Sequence, residues 1–358
     1  MLALGGAVLG GLVVGGGLST SGEGPGGSYT PTFLRFDFSG DTAEYGSDRW
    51  QWQGLQGDRP RPAGVRQAFV YATAVQRPGD GLGVTQCVPP GGVKDSWFLR
   101  DRSGEKIFRS INGGDYALDV GNVEFRKSAG AFLLDKCERQ GWDGVIHDEV
   151  NGELEWAFPG ALSEKYPDPA AYRQVQLEYV SELGDTLRSG GFQLAGNIGQ
   201  PIYETWCKDL SRTGMITSTE VFVAGDEGSS GMATADDGTW KERVEFTEWS
   251  MLHTQQVLVH DRATDPASIA YGLCSFLLVD NGRGAYGADL AYSAPTPYPV
   301  SFNDAVRLGP PVGARSEVET NLWRREFSRG YVLVNSGTVR AAHQGDVLSP
   351  TSGAIILN

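Results

Sequence analysis

The stretch GWDGVIHDEV, residues 141–150, decides how this chain is read. Gly141 interrupts the pattern before it. Gly144, Val145 and Ile146 then form a short apolar run that stops on His147, Asp148 and Glu149. A short apolar run bounded by turn residues reads as a strand buried on both faces. Three ionisable residues where a core strand ends are groups whose acidity burial would shift. Working outward, residues 123–140 place Phe125, Ala129, Phe132, Leu133 and Cys137 at helical spacing, with Asn122 as the N-cap. Residues 169–189 carry Tyr172, Val175, Tyr179, Val180, Leu183 and Leu187 on one helical face. The decisive strand therefore lies between two amphipathic helices.

The same alternation extends along the chain. Strands are expected at 33–38, 67–73, 116–119, 143–148, 192–197, 214–220, 255–260 and 283–287. Further helices are expected near 203–210, 241–253 and 265–278. Eight strand units in about 260 residues, mostly separated by helices, fit an α/β protein built as a (β/α)8 TIM barrel. After residue 322 the helical period stops. Residues 323–335 and 352–357 are β-patterned with turns between, which implies a small C-terminal antiparallel β appendage. Three segments follow: an apolar, glycine-rich segment and linker at 1–32, the barrel at 33–312, and the C-terminal β segment at 313–358.

Composition narrows the function. Thirty basic against 44 acidic residues give a net charge of −14, which excludes a cationic nucleic-acid footprint and a polybasic membrane patch. An apolar content of 40% with nine Trp and 13 Tyr excludes a mainly disordered chain. Eleven of the 50 glycines fall in residues 1–27. Residues 1–18, MLALGGAVLGGLVVGGGL, carry no charge, and the first basic residue is Arg35. A signal peptide would start with a basic region. A membrane helix would need about 20 apolar residues and fewer glycines. The third reading is a segment that packs within a larger assembly. Export or assembly is favoured over a plain cytosolic enzyme, so the expected location is extracellular, cell-surface or on a virion, with membrane or virion-assembly contact through residues 1–18. Four cysteines without C-x-x-C spacing read as buried free thiols, with one disulfide as the alternative. No metal-ligand spacing or cofactor motif is present, so neither a metal nor a cofactor is expected.

In a barrel of this kind the C-terminal ends of the strands converge on one mouth. That rule selects Asp119, Asp148 with Glu149, Asn197, Glu220, His260 and Tyr286, with Asp37 and Tyr71 from the first two strands. One acid at a strand end usually caps the next helix or is solvated. Several at one mouth suggest chemistry. Paired carboxylates are the minimal machinery for hydrolysing a glycosidic bond: one protonates the leaving oxygen, and the other attacks the anomeric carbon or activates water. Asp148 is the expected nucleophile or base and Glu220 the general acid. Asp119, Glu149, Asn197, His260, Tyr286, Tyr71 and Asp37 are the expected sugar contacts. Trp142, Trp156, Tyr203, Trp206, Phe222 and Trp240 lie in or near the flanking loops and serve either as stacking platforms or as packing.

Residues 141–150 resemble the G-(W/F)-D-G-V-(F/W)-(L/I)-D-(D/N)-V signature of glycosyl hydrolase-like family 15, and more distantly that of the endo-α-1,4-polygalactosaminidases. Residues 97–104 resemble the W-x-L-x-D-x-x-G segment of these proteins, and residues 116–122 their W-x-L-D-x-x-N-P. Residues 307–313 and 325–335 resemble their D-L-G-x-P-x-G and R-x-F-x-x-G-x-V-x-V-N. The resemblance covers about 96–358 and implies a TIM-barrel glycosidase acting on a polysaccharide or cell-envelope glycan. Some proteins of this kind occur in bacteriophage tails. Matched by position, Asp148 is the signature acid and Glu220 the acid of the sixth strand. His147 departs from an apolar position, Glu149 from Asp or Asn, Val123 from Pro and Arg307 from Asp. The rival reading is a non-catalytic glycan-binding or structural tail or cell-surface protein that keeps the barrel.

Overall fold

The computed structural model describes residues 29–37, 50–54, 61, 67–76, 87–89, 91–110, 114–198, 205–225, 231–254, 256–263, 265–288 and 300–358. The apolar segment 1–18 lies outside them. Among the described residues no helix is long and apolar enough to cross a membrane.

Strands β1 (Thr32–Asp37), β2 (Trp50–Gly54) and β3 (Gln67–Thr73) open the fold. Three short strands follow: β4 (Val75–Gln76), β5 (Phe108–Arg109) and β6 (Asp115–Ala117). Next come α1 (Val123–Gln140), β7 (Gly144–Val150), α2 (Leu154–Ala157), α3 (Pro169–Ser189), β8 (Gln193–Ile198), α4 (Thr205–Arg212) and β9 (Ile216–Glu220). The barrel ends with α5 (Thr239–His253), β10 (Val257–Asp261), α6 (Pro266–Leu277) and β11 (Gly284–Ala288). Strands β1, β2, β3, β7, β8, β9, β10 and β11 pair in parallel in that order, and β1 closes onto β11. The (β/α)8 expectation therefore holds, with one correction. The strand expected at 116–119 is β6, which pairs antiparallel with β4 and β5 outside the barrel. Its place in the barrel is taken by Trp50–Gly54.

Local chemistry explains the helix boundaries. Asn122 caps α1 by accepting from the Glu124 and Phe125 N–H groups, and Gly141 ends the helix in the left-handed region at φ 72°. Asp168 and Asp265 cap α3 and α6, each followed by a proline in the first turn. A strand period of two sorts the barrel faces. One residue from each of seven strands fills the lumen: Leu34, Phe69, Ile146, Ala195, Ile216, Leu258 and Ala285. This apolar layer plugs the barrel. The alternate residues, such as Val70, Val145, Leu194 and Val259, join the larger core beneath the helices. All four cysteines are buried free thiols.

After α7 (Val300–Arg307), the strands β12 (Ser316–Glu319), β13 (Leu322–Phe327), β14 (Gly330–Asn335), β15 (Ala341–His343), β16 (Asp346–Leu348) and β17 (Ser352–Leu357) form the C-terminal antiparallel sheets. The larger of these runs β12-β13-β14-β17. Arg325 of β13 fastens it to the barrel by donating to the Leu277 and Asp280 carbonyls at 2.9 and 2.7 Å, at the C-terminus of α6. A cation there also meets the negative end of the helix dipole.

Candidate active site

The period of two that makes the apolar layer also makes the mouth. Two residues further along, the same strand faces present Tyr71 of β3, Asp148 of β7, Asn197 of β8, Ser218 of β9 and His260 of β10. Glu220 stands two residues beyond Ser218. Register brings these positions together, with Asn197 beside Ser218 and His260 beside Glu220.

Asn197 connects the two acids. Its Nδ2 donates to Asp148 Oδ1 at 2.8 Å and to Glu220 Oε2 at 3.3 Å. Two bonds meeting at one nitrogen limit those oxygens to at most about 6.1 Å apart. The usual spread of two amide hydrogens would put them roughly 5 Å apart. The amide orientation follows from charge, because the reverse would aim a carbonyl oxygen at two carboxylates. Tyr71 donates its hydroxyl to Asp148 Oδ2, and the Glu149 N–H donates to Asp148 Oδ1 at 2.8 Å. Three donors therefore fix the Asp148 carboxylate. Burial, followed by the charge of Asp148, raises the Tyr71 hydroxyl well above its usual range, so it stays a donor. Glu220 Oε1 accepts from Arg262 at 3.0 Å.

The backbone turns sharply after each acid. Glu149 and Val221 adopt φ values of 58° and 60°, in the left-handed region that non-glycine residues seldom occupy. The ladder between β7 and β8 shifts register between His147 and Val150. Behind Glu220, the Phe222 N–H donates to the His260 carbonyl at 2.9 Å. The Val223 and Ala224 N–H groups donate to Asp261 Oδ1 at 2.7 and 2.8 Å. Arg243 donates to the Val221 and Phe222 carbonyls. Asp261 is fully buried, and burial pushes its carboxyl up to about 6 against those donors.

Glu149 turns away from the lumen. Its carboxylate pairs with Arg109 of β5, which Asp115 and the Ala157 carbonyl hold at 2.8 and 3.1 Å. Burial first, and the Asp148 charge second, push Glu149 up to about 7, while Arg109 opposes the rise. The short sheet outside the barrel thus reaches the residue next to Asp148.

Other expected contacts sit elsewhere. Tyr286 is corrected: it lies on the outward parity of β11, fully buried, and donates to Asp261 Oδ2 at 2.9 Å while packing on Phe276 and Phe302. Asp119 is corrected as well. It follows the outer sheet, and its own chain occupies both oxygens: Tyr166 and the Gly121 N–H bind Oδ1, and Lys165 binds Oδ2. It is a clamp on the loop between α2 and α3. His260 faces the lumen as its spacing requires and is fully buried between Glu220 and Gly287 in the ladder. Trp142, Phe222 and Trp240 are core residues, and Trp206 is 8% exposed. The side chains of Asp37 and Trp156, and all of Tyr203, lie outside the described residues. Arg262 and Arg109 are not among the residues expected from the sequence; the structure places them against Glu220 and Glu149. Arg262 follows His260 by two residues and was within reach of the strand-end rule; Arg109 carries no sequence signal.

Residues 88–331 match the model of a family described as hypothetical glycosyl hydrolase family 15. No curated protein matches the chain. Among solved structures, one similar fold is Ega3 of Aspergillus fumigatus in complex with galactosamine. It has 12% identity and a TM-score of 0.46, over 74% of this chain and 92% of that one. Another is the α-amylase of Geobacillus thermoleovorans complexed with acarbose, with 8% identity and a TM-score of 0.48, over 91% and 97% of the two chains. A third is the PgaB glycoside hydrolase domain of Bordetella bronchiseptica, with 12% identity and a TM-score of 0.41, over 72% and 87%. Likeness of this degree carries no argument about chemistry.

Proposed function

Because the chain belongs to hypothetical glycosyl hydrolase family 15, we propose that it hydrolyses a glycosidic bond in a polysaccharide, with Asp148 and Glu220 as the carboxylate pair. The observation that carries this reading is the single Asn197 amide that donates to both acids. The separation it imposes suits the closer of the two glycosidase geometries, in which carboxyl groups about 5–5.5 Å apart give retention of configuration. Asp148 attacks the anomeric carbon while Glu220 passes a proton to the leaving oxygen. Glu220 then takes a proton from water, which cleaves the glycosyl ester on Asp148 and returns the enzyme to its starting state. Tyr71, Asn197 and the Glu149 N–H aim the nucleophile, and Arg262 and Asn197 aim Glu220.

The apolar, uncharged residues 1–18 support a site of action outside the cell, at its surface or on a virion, with that segment making the membrane or assembly contact. A bacterial envelope glycan is the substrate class this location supports. The test is reducing-end release from a panel of such polysaccharides, followed by NMR of the first-formed anomer. Asp148→Asn and Glu220→Gln should each lower hydrolysis at least ~10³-fold, the scale on which removal of an essential group acts. If both leave the hydrolysis of a responsive polysaccharide unchanged, the assignment is wrong. Binding without release by the wild type would favour the non-catalytic reading.

A further inference from the structure

The residue before Asp148 faces the opposite way. His147 is buried on the outer side of β7, packed edge-on against Tyr179 of α3 with ring centroids 5.3 Å apart. Its Nδ1 lies 2.8 Å from the Asp148 carbonyl oxygen, and its Nε2 lies 2.9 Å from the Tyr179 hydroxyl. A carbonyl oxygen can only accept, so the ring proton belongs on Nδ1 and Nε2 accepts from Tyr179. Burial pushes the ring down to about 4, which leaves it neutral with one proton at any higher pH. Cys87 completes the buried group: its Sγ lies 3.5 Å from His147 Nε2 and donates to the Thr73 carbonyl at 3.2 Å. Thr73 is the register partner of Asp148 in β3.

The bond to Asp148 falls where the pairing of β7 with β8 changes register. The β7–β8 ladder is interrupted between His147 and Val150, and Glu149 adopts φ 58° within that gap. An isolated left-handed residue persists only where its surroundings over-determine it. A side chain that merely filled space at 147 would need no donor aimed at the next carbonyl.

We propose that His147 is a positioning residue for the candidate nucleophile: its Nδ1–H holds the peptide that follows Asp148, and Tyr179 fixes the tautomer that makes the bond. The role rests on the reading of Asp148 as one of the catalytic pair. A misplacement of about 1 Å at a reacting group is worth roughly a hundredfold in rate, so a main-chain tether here has leverage.

Two amide substitutions separate this role from packing. In His147→Asn the side-chain nitrogen can occupy the place of Nδ1; in His147→Gln it reaches the place of Nε2. Tyr179→Phe, nearly isosteric, removes the hydroxyl that locks the tautomer and that also lies 3.5 Å from Cys87 Sγ. The first readout is hydrogen exchange at the Glu149 amide of the full chain, which needs no substrate because that N–H donates to Asp148 Oδ1. The second is kcat and KM on an envelope polysaccharide that the wild type hydrolyses. Asn should keep Glu149 exchange within about threefold of wild type and kcat within about fivefold. Gln should speed exchange about tenfold and lower kcat about 30-fold with little change in KM, on the scale of that misplacement. Tyr179→Phe should fall between them. Packing alone predicts the reverse order, since Gln fills the site better than Asn. Equal effects or the reverse order would overturn the proposal. If the exchange order holds but Asp148→Asn leaves hydrolysis unchanged, the catalytic reading falls and the tether stands.

Discussion

Asn197→Ala is the substitution whose effect can be worked most directly from the site. It removes one nitrogen that donates to Asp148 Oδ1 at 2.8 Å and to Glu220 Oε2 at 3.3 Å. A hydrogen bond to a charged group contributes about 1.5–3 kcal/mol net. The longer bond falls at or below the lower end, so roughly 3 kcal/mol for the pair is reasonable. At about 1.4 kcal/mol per tenfold, the expected loss is about a hundredfold in kcat/KM. Asn197→Asp keeps the shape, removes the donors and sets a carboxylate against the Asp148 carboxylate, so it should lose more than Ala. Initial rates of reducing-end release, with thermal melts to confirm folding, measure both variants. The reasoning is refuted if Asn197→Ala stays within about threefold of wild type while Asp148→Asn abolishes hydrolysis, or if Asp is the milder change.

Two further outcomes follow from buried carboxyls. Asp261 sits at about 6 in the folded chain, above its usual 3.8, so the folded state keeps that proton longer than the unfolded state. Its contribution is therefore most favourable below about pH 4 and is lost as pH rises through 6, by about 3 kcal/mol at 1.36 kcal/mol per unit. Asp261→Asn escapes that loss and keeps its bonds, since Tyr286 can turn its hydroxyl to the Ile269 carbonyl, 3.4 Å away, and accept from the new amide. Urea unfolding should show the variant gaining on wild type between pH 4 and 7; parallel curves would count against a buried charge at 261. Glu149 should appear in a carbon-NMR titration as a carboxyl with a midpoint near 7 that vanishes in Glu149→Gln. Arg109→Met, which removes the opposing cation, should move that midpoint upward, and a downward move would contradict the ion pair.

The decisive strand was readable because it carries its own boundaries: glycine before it, an apolar run, then ionisable residues. Strand parity, also present in the sequence, places Asp148, Asn197, Glu220 and His260 on one face by counting in twos from Ile146, Ala195, Ile216 and Leu258. Tyr286 shows what happens when the strand-end rule is applied without parity, because a one-residue offset sends a side chain to the helix layer. Residues 116–119 do include a strand, but a strand pattern does not name its partner, and this one pairs with two short neighbours. Trp50–Gly54 alternates as W-Q-W-Q, a polar pattern that lacks the continuous apolar character of a buried parallel strand. Arg109 meets Glu149 across 40 positions of chain, a distance over which no local pattern operates.

The left-handed turns after the two acids bear on how this protein could be engineered. A residue such as Val221, β-branched and at φ 60°, carries a backbone cost of about 1–3 kcal/mol. A screen for thermostability alone would therefore find Val221→Gly early, since glycine adopts that conformation without penalty. Glu149→Gly would not be found the same way, because it also breaks the ion pair with the largely buried Arg109. Val221→Gly would free the peptide that follows Glu220. Heat resistance and turnover should thus trade against each other at position 221 more steeply than across the rest of the barrel, and a library selected for survival at high temperature would drift toward robust but idle proteins.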